Sequence, residues 1–331
     1  MSPEKRRAIA QMLADTRFEI LPLGGAGEAA AALPEGTTIT ITSSPAKGIE
    51  ATIELAERLA PLGLDVVPHL SAKQVPGDRL GEFVERLDAV GVRDVFVVGG
   101  DATDAVGDFA NGSELLEALA QLEHPFTRLG VPAYPEGHHA IDDATLTDAL
   151  LHKQRYASYL VTQLCFDADR IAGWLRVVRA DGVTMRAYAG IPGIVDRRRL
   201  VTISLKIGIG DSARFLRGNR ATALRLVRGG YRPDSLVKRL GALARDGEAE
   251  IDGFHVYTFN QLAASHEWAV QTLRRAEAAR QQARRLRGAA PRHRRGGTGV
   301  AAPTPSATEP ARTEPPDTAA TAGTSRTAGG T

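Results

Sequence analysis

Asp94-Val95-Phe96-Val97-Val98-Gly99-Gly100-Asp101 reads as a short buried strand that stops in two glycines and a carboxylate. The same arrangement recurs along the chain in Arg17–Leu23, Thr37–Ser44, Asp65–Ala72, Arg128–Glu136, Ser158–Phe166, Thr184–Gly190 and Gly253–Phe259. Nearly every run ends in polar residues or glycine. The clusters are Glu19, Thr42-Ser43-Ser44, His69, Gly99-Gly100-Asp101, Tyr134-Pro135-Glu136-Gly137-His138, Gln163, Gly190, and Tyr257 with Asn260. Eight buried strands with chemistry at their C-terminal ends predict a (β/α)8 TIM barrel, in which the active site occupies that face. An open doubly wound sheet is the alternative fold.

Apolar residues at helical spacing separate the strands. They predict a leading helix over Pro3–Asp15, then Ala46–Leu62 after Ser44-Pro45, and Asp78–Val90 with Asp78 at its cap. Ser113–Leu122, Asp143–Ala157, and Ala168–Ala180 capped by Asp167 follow. Asp196–Ser204, Ser212–Arg217 and Ala221–Asp246 lie between the last two strands, and Gln261–Arg287 closes the ring. Strand–helix alternation with β-branched strands predicts parallel pairing.

The 331 residues exceed the usual length of one barrel. From about Gly288 large apolar residues vanish apart from Val300, and Ala, Pro, Thr, Gly and Arg take over. Such a segment buries too little surface to offset its ordering entropy. The expected organisation is a catalytic barrel over 1–287 and a disordered tail over 288–331.

Hydrophobic content of 43% and charged content of 24% are ordinary for a globular protein. A single cysteine, Cys165, excludes an intrachain disulfide and fits a reducing compartment. No apolar stretch is long enough to cross a bilayer, and the N-terminus has no apolar signal core. A cytoplasmic protein is expected. Between Arg274 and Arg295 there are nine arginines against one glutamate, so a total of +2 leaves about −6 for the rest. This basic segment continues a helix and lacks interleaved aromatics. It reads as a solvated helix end rather than a nucleic-acid site.

Each polar cluster has a chemical and a purely structural reading. Glu19 sits inside an apolar strand, where burial disfavours its ionised form and makes it a candidate proton donor near neutrality. The structural reading pairs it with a basic neighbour. Gly99-Gly100-Asp101 permits close backbone approach and adds a charge at the barrel mouth; a tight turn is the alternative. Tyr134 to His139 gathers an aromatic ring, a carboxylate and two imidazoles at one strand end. The adjacent histidines lack the usual spacing of metal ligands, and no metal is expected. Gln163 offers a donor and an acceptor for the amide edge of a heterocycle. Gly208-Ile209-Gly210-Asp211-Ser212 precedes a short helix; such glycines can bind an anion, but the run reads as a simple N-cap rather than an anion site.

In this order, the motifs resemble the methylenetetrahydrofolate reductase family. The resemblance runs from Phe18-Glu19 with Pro22, through His69-Leu70, Gly100-Asp101, Tyr134-Pro135-Glu136-Gly137-His138, Thr162-Gln163 with Phe166-Asp167, and Gly190-Ile191-Pro192, to Phe254-His255-Val256-Tyr257-Thr258-Phe259-Asn260. It implies a barrel that holds FAD and passes a hydride from NADH or NADPH to 5,10-methylenetetrahydrofolate, giving 5-methyltetrahydrofolate. By motif, Glu19, Asp101 and Gln163 match the catalytic and substrate-binding groups, joined on the substrate side by Tyr257 and Asn260. Thr42, His69, Gly100, Asp101, Tyr134, Glu136, His138 and Lys153 fall where flavin contacts lie. The small-molecule folate is the expected partner; a membrane and nucleic acid are not, and a homo-oligomer stays open.

The chain departs from the family pattern at three places. Gly99 stands where an arginine is usual, Leu164-Cys165 where an aromatic pair is common, and Gln261 where an arginine follows the asparagine. Two alternatives therefore remain beside the FAD enzyme. One is a flavin-independent reductase of the same substrate. The other is a non-catalytic folate- or flavin-binding barrel that serves one-carbon transfer as a partner.

Overall fold

The structure, a computed structural model, describes residues 2–100, 106–195 and 231–288. Its strands are β1 (Thr16–Ile20), β2 (Thr38–Ile41), β3 (Asp65–Ser71), β4 (Asp94–Val98), β5 (Arg128–Ala133), β6 (Tyr159–Thr162), β7 (Arg186–Pro192) and β8 (Gly253–Tyr257). They pair in sequence order, all parallel, and β8 closes onto β1. This is the (β/α)8 TIM barrel, and the doubly wound alternative falls away. Six strands lie inside the runs expected for them, whereas β1 begins one residue early at Thr16 and β7 continues two residues past Gly190 to Pro192.

The helices are α1 (Pro3–Ala14), α2 (Ala26–Ala31), α3 (Gly48–Leu59), α4 (Leu80–Ala89), α5 (Gly112–Ala120), α6 (Asp143–Lys153), α7 (Ala168–Ala180), α8 (Asp234–Arg245) and α9 (Leu262–Gly288). Side-chain caps explain several starts: Ser2, Asn111, Asp142 and Asp167 each accept from backbone N–H groups of the first turn. Asp167 caps as expected. Asp78 does not cap α4; it lies in a 3-10 turn over Gly77–Arg79, and α4 begins after it. Helix α3 starts later than expected because the Ser44 carbonyl first accepts from the backbone of Lys47 and Gly48 in a turn. Helix α2 was not foreseen, since Ala26-Gly27-Glu28-Ala29-Ala30-Ala31 shows no contrast of large apolar and polar residues. The stretches expected to be helical over 196–204 and 212–217, and the start of Ala221–Asp246, lie outside the described residues, as does the 289–331 part of the tail. No helix among the described residues is long and apolar enough to cross a membrane.

Phe18 and Ile20 of β1 point outward into the main core with Ile39, Ile41, Val95, Val97 and Leu160. Arg17 and Glu19, between them, point into the barrel. A smaller apolar cluster of Val67, Phe96, Tyr159, Val161 and Tyr188 fills that interior. Helix α1 packs against both α8 and α9, and Gly241 of α8 lets Ile9 of α1 approach closely.

The N-terminal end of the interior is polar and built on an ion-pair network, in which Nε of Arg17 alone has no hydrogen-bond partner among the described residues. Arg17 lies 3.1 Å from Asp94, which also accepts from the Tyr159 hydroxyl at 2.8 Å and meets Arg128 at 3.0 Å. The Arg17 guanidinium is sandwiched 4.1 and 4.2 Å from the rings of Tyr159 and Tyr188. Tyr188 donates in turn to Asp15.

Three tyrosines reach across a neighbouring strand, and a glycine on that strand makes room for each. Tyr159 of β6 crosses β5 at Gly130 to reach Asp94 of β4. A Cβ on Gly130 would sit 2.2 Å from its ring. Tyr257 of β8 crosses β7 at Gly190 and donates to the Thr162 carbonyl of β6 at 3.2 Å. A Cβ on Gly190 would sit 2.0 Å from that carbonyl and 2.9 Å from the Tyr257 ring. Tyr188 of β7 crosses β8 at Gly253 in the same way.

Candidate active site

The C-terminal mouth gathers residues from several strands. Glu19 stands near the end of β1, opposite Tyr257 in the β1–β8 register. Its side chain is 13% exposed, so it reaches the mouth while its base is buried. Oε2 of Glu19 lies 3.1 Å from Nε2 of His255. The structural reading of Glu19 as a partner of a basic residue thus names His255, yet the carboxyl still opens to the mouth. Thr258 donates from its hydroxyl to the Glu19 carbonyl, fixing the backbone beneath the carboxyl.

The His255 ring is buried and hemmed in by rings. It packs edge-on against Tyr257 at 4.8 Å, stacks 6.4 Å from Phe96, and lies 6.4 Å from His69. These contacts join β8 to β3 and β4, which are not its neighbours in the sheet, so they cross the interior. The Tyr257 phenol is pushed well above its ordinary range, by burial first and then by Glu19 and Tyr134 nearby. Tyr134 of the β5 loop therefore shares this corner, and its ring meets His138 edge-on at 5.1 Å.

Gln163 follows β6 directly and is exposed; its Oε1 accepts from Leu164 N at 2.8 Å. Asn260 has a positive φ of 59°, next to Phe259 at 50°. Its side chain accepts from Leu21 N at 2.9 Å and donates to Leu21 O, tying the last loop to the end of β1. That clamp holds the segment carrying Glu19, a task that left-handed backbone at a non-glycine residue must be overdetermined to sustain.

Thr42, just after β2, presents a buried hydroxyl with no hydrogen-bond partner among the described residues, as do Thr40 and Ser71. His69 is buried within β3, tilted against Phe96 at 4.8 Å, and its Nε2 is likewise unpartnered. Burial, and then the neighbouring His255, hold its imidazole well below the usual range. It is therefore neutral at physiological pH.

Asp101 lies outside the described residues. The chain on both sides is anchored: Lys73 N donates to Gly99 O, and Gly107 N donates to Lys73 O. Gly100 has a positive φ of 88°, and a Cβ there would strike the Ser71 hydroxyl. Both ends of the segment carrying Asp101 are thus fastened to the loop after β3, on the rim of the mouth.

Tyr134, Gly137 and Lys153 line a cavity of about 350 Å3 between α6 and α7, together with Pro132, Arg170 and Trp174. This size is at the small end of ligand sites. Lys153, the last residue of α6, is half-buried there without an ion-pair partner among the described residues. Burial pushes its ammonium below the ordinary range. Glu136 and His138 flank the cavity on the β5 loop, and the His138 ring accepts from Ala140 N through Nδ1. Cys165 is buried, and its thiol is pushed up to about 12 by burial and then by Glu136. It is core, as its apolar flanks predict.

Two features were missed in the sequence. His255 was given no role, although its position two residues before Tyr257 on an alternating strand puts both on the inner face. Arg17, two residues before Glu19, carries the same signal.

A family model for methylenetetrahydrofolate reductase matches residues 27–206, more than half of the chain. The chain belongs to the methylenetetrahydrofolate reductase family. The matched stretch includes β2 to β7, with Thr42, His69, Gly100, Tyr134, Lys153 and Gln163, whereas Glu19, Tyr257 and Asn260 flank it.

Among curated relatives, methylenetetrahydrofolate reductase 1 of Schizosaccharomyces pombe is 25% identical over 136 residues, 39% of this chain and 23% of that protein. Methylenetetrahydrofolate reductase 2 of Saccharomyces cerevisiae is 24% identical over 173 residues, 49% of this chain and 29% of that protein. The chain thus spans less than a third of the length of these relatives. A solved structure of an uncharacterized protein from Clostridium thermocellum that binds two copies of 5-methyl-5,6,7,8-tetrahydrofolic acid covers 84% of this chain and 99% of its own, with a TM-score of 0.55 at 13% identity. That likeness shows the fold.

Proposed function

We propose that this barrel reduces 5,10-methylenetetrahydrofolate to 5-methyltetrahydrofolate with a hydride from NADH or NADPH, through FAD. The observation that carries the reading is Glu19, a carboxyl that opens to the mouth, backed by His255 and clamped in place through Asn260 and Thr258. Opening the bridged imidazolidine ring requires a proton on the amine nitrogen that leaves, and a carboxyl fixed in a mostly buried wall is suited to give it. Gln163 presents an amide to the pterin edge, and Tyr257 walls the same corner. Asp101 is assigned to the pterin by the family resemblance.

The residues present fit a flavin dinucleotide. Among the described residues, Lys153 is a cation without an ion-pair partner beside a cavity lined by Tyr134 and Trp174, and Thr42 and His69 offer buried polar atoms left unmatched. Thr42, His69, Gly100, Tyr134, Glu136, His138 and Lys153 would hold it. When bound, FAD supplies hydride transfer between nicotinamide and folate. The chain orients the reactants, keeps water from the interior with Phe96 and Val161, and delivers the proton from Glu19.

A flavin-independent reductase of the same folate is the second reading, favoured by Gly99 in the place of the usual arginine. The test is oxidation of NADH and of NADPH by purified protein with 5,10-methylenetetrahydrofolate, with and without FAD. Folate-dependent oxidation that needs FAD is the expected result. Oxidation from colourless, FAD-free protein would select the second reading. No oxidation by folded protein under any condition would leave a folate-binding partner.

A further inference from the structure

We propose that Glu19 and His255 share one proton and work as a single acid unit, with His255 as the positioning residue. The proposal rests on the reductase reading above for its catalytic consequence, but its physical core concerns only the pair.

The geometry isolates these two groups. Nε2 of His255 faces Oε2 of Glu19 at 3.1 Å, while Nδ1 is buried with no partner among the described residues. The ring faces Phe96, Tyr257 and His69, so Glu19 is the polar group that meets it directly. Among the described residues, the other titratable or charged groups of the interior are Arg17, Asp94, His69, Tyr159, Tyr188 and Tyr257, with Tyr134 at the rim. Arg17, beside His255 in the β1–β8 register, is committed to Asp94 and to the rings of Tyr159 and Tyr188. His69 is neutral, and the phenols keep their protons. Among the described residues, no other interior group competes for the proton between Glu19 and His255.

Two arrangements of that proton have the same net charge. With water at the mouth, the ion pair of imidazolium and carboxylate is solvated on its Glu19 side. A ligand covering the mouth removes that water, and separated charges in a low dielectric cost more than a neutral pair. The N–H bond at Nε2 then breaks as an O–H bond forms on Glu19. The proton thus reaches the carboxyl when the substrate is in place.

In the reaction, the O–H bond of Glu19 breaks and its proton joins the amine nitrogen of the bridged ring. The carbon–nitrogen electron pair goes to that nitrogen and leaves an iminium on the other. The hydride from the reduced nicotinamide completes the methyl group. Glu19 is left as a carboxylate, and one proton from solvent restores the pair after product leaves.

The first test does not depend on catalysis. Protein labelled with 15N histidine is examined by NMR near about pH 6, comparing wild type with Glu19→Gln, and the His255 signals are assigned with His255→Gln. An imidazolium pattern at His255 in the wild type that is lost in Glu19→Gln is expected. Identical His255 signals in both proteins would overturn the shared proton.

The second test follows kcat/KM for folate reduction against pH. In His255→Gln, whose amide keeps a hydrogen bond to Glu19, the high-pH limb is expected to move down by about one pH unit or more. KM for the folate and the Tm should stay near wild type. An unmoved limb with a lower kcat would reduce His255 to a structural support. If His255→Gln does not fold, the His255 signals are assigned by sequential through-bond experiments on the wild type, and the comparison with Glu19→Gln still decides. If wild-type protein reduces no folate, the reductase reading fails while the NMR result stands.

Discussion

Glu19 combines two environments in one side chain: Oε2 of its carboxyl meets the buried His255, while the side chain keeps some exposure at the mouth. Glu19→Gln keeps the shape and removes the transferable proton. Folate reduction is expected to fall by about 10²- to 10⁴-fold, the usual worth of a positioned acid, while reduction of bound flavin by NAD(P)H stays nearly intact. Stopped-flow measurement of the two half-reactions checks this, and equal losses in both would make Glu19 structural. His69 gives a prediction about stability. Burial and His255 depress its folded protonation, so the folded state refuses a proton that the unfolded chain accepts near its ordinary value. The stabilisation is complete above that value and is lost as pH falls below it, by at most about 1.4 kcal/mol per pH unit. Thermal unfolding between about pH 7 and about pH 5 should therefore show a shallower acid decline in His69→Leu than in wild type. Parallel declines would mean that other groups govern the acid limb.

At the scale of elements, the barrel is stitched by long side chains that span an intervening strand. Each stitch needs a glycine beneath it, because the tyrosine ring occupies the volume of a side chain there. Gly130→Ala would force a Cβ into the Tyr159 ring and pull its hydroxyl from Asp94. Overpacking and a lost bond to a buried charged acceptor together predict a loss of about 3 kcal/mol or more, read from urea unfolding. A double variant with Tyr159→Phe should not rescue it, since the ring remains, whereas Tyr159→Leu should recover part of the loss. A Gly130→Ala protein as stable as wild type would show that the strand shifts freely. The strands themselves were legible as apolar runs with polar ends. Gly130 and Gly253 were not, and Gly190 was read only as a strand end, because the need for each arises from residues about thirty or more positions away.

For the whole molecule, the closed order β1 to β8 places the polar ends of all strands on one rim. The site is therefore assembled from segments as distant as Glu19 and Asn260, joined through Leu21. Residues beyond Gly288 contribute few large apolar side chains. Ending the chain after Gly288 is expected to leave kcat/KM and Tm unchanged. A folded truncation that loses activity would assign the 289–331 segment to the site or to assembly.

Periodicity and composition alone determined the strand–helix alternation, the place of Glu19 within an apolar strand and the core character of Cys165, because these follow from local pattern. The same reading failed at α2, whose small residues carry no amphipathic contrast, and at the cap of α4, where a 3-10 turn displaces Asp78. Only the tertiary structure decided the partners. Closure of β8 onto β1 brings His255 behind Glu19, Asn260 onto Leu21, and Asp94 beneath Arg17. Such pairings join positions far apart in the chain, and a local pattern holds no record of which distant residue will lie across the barrel.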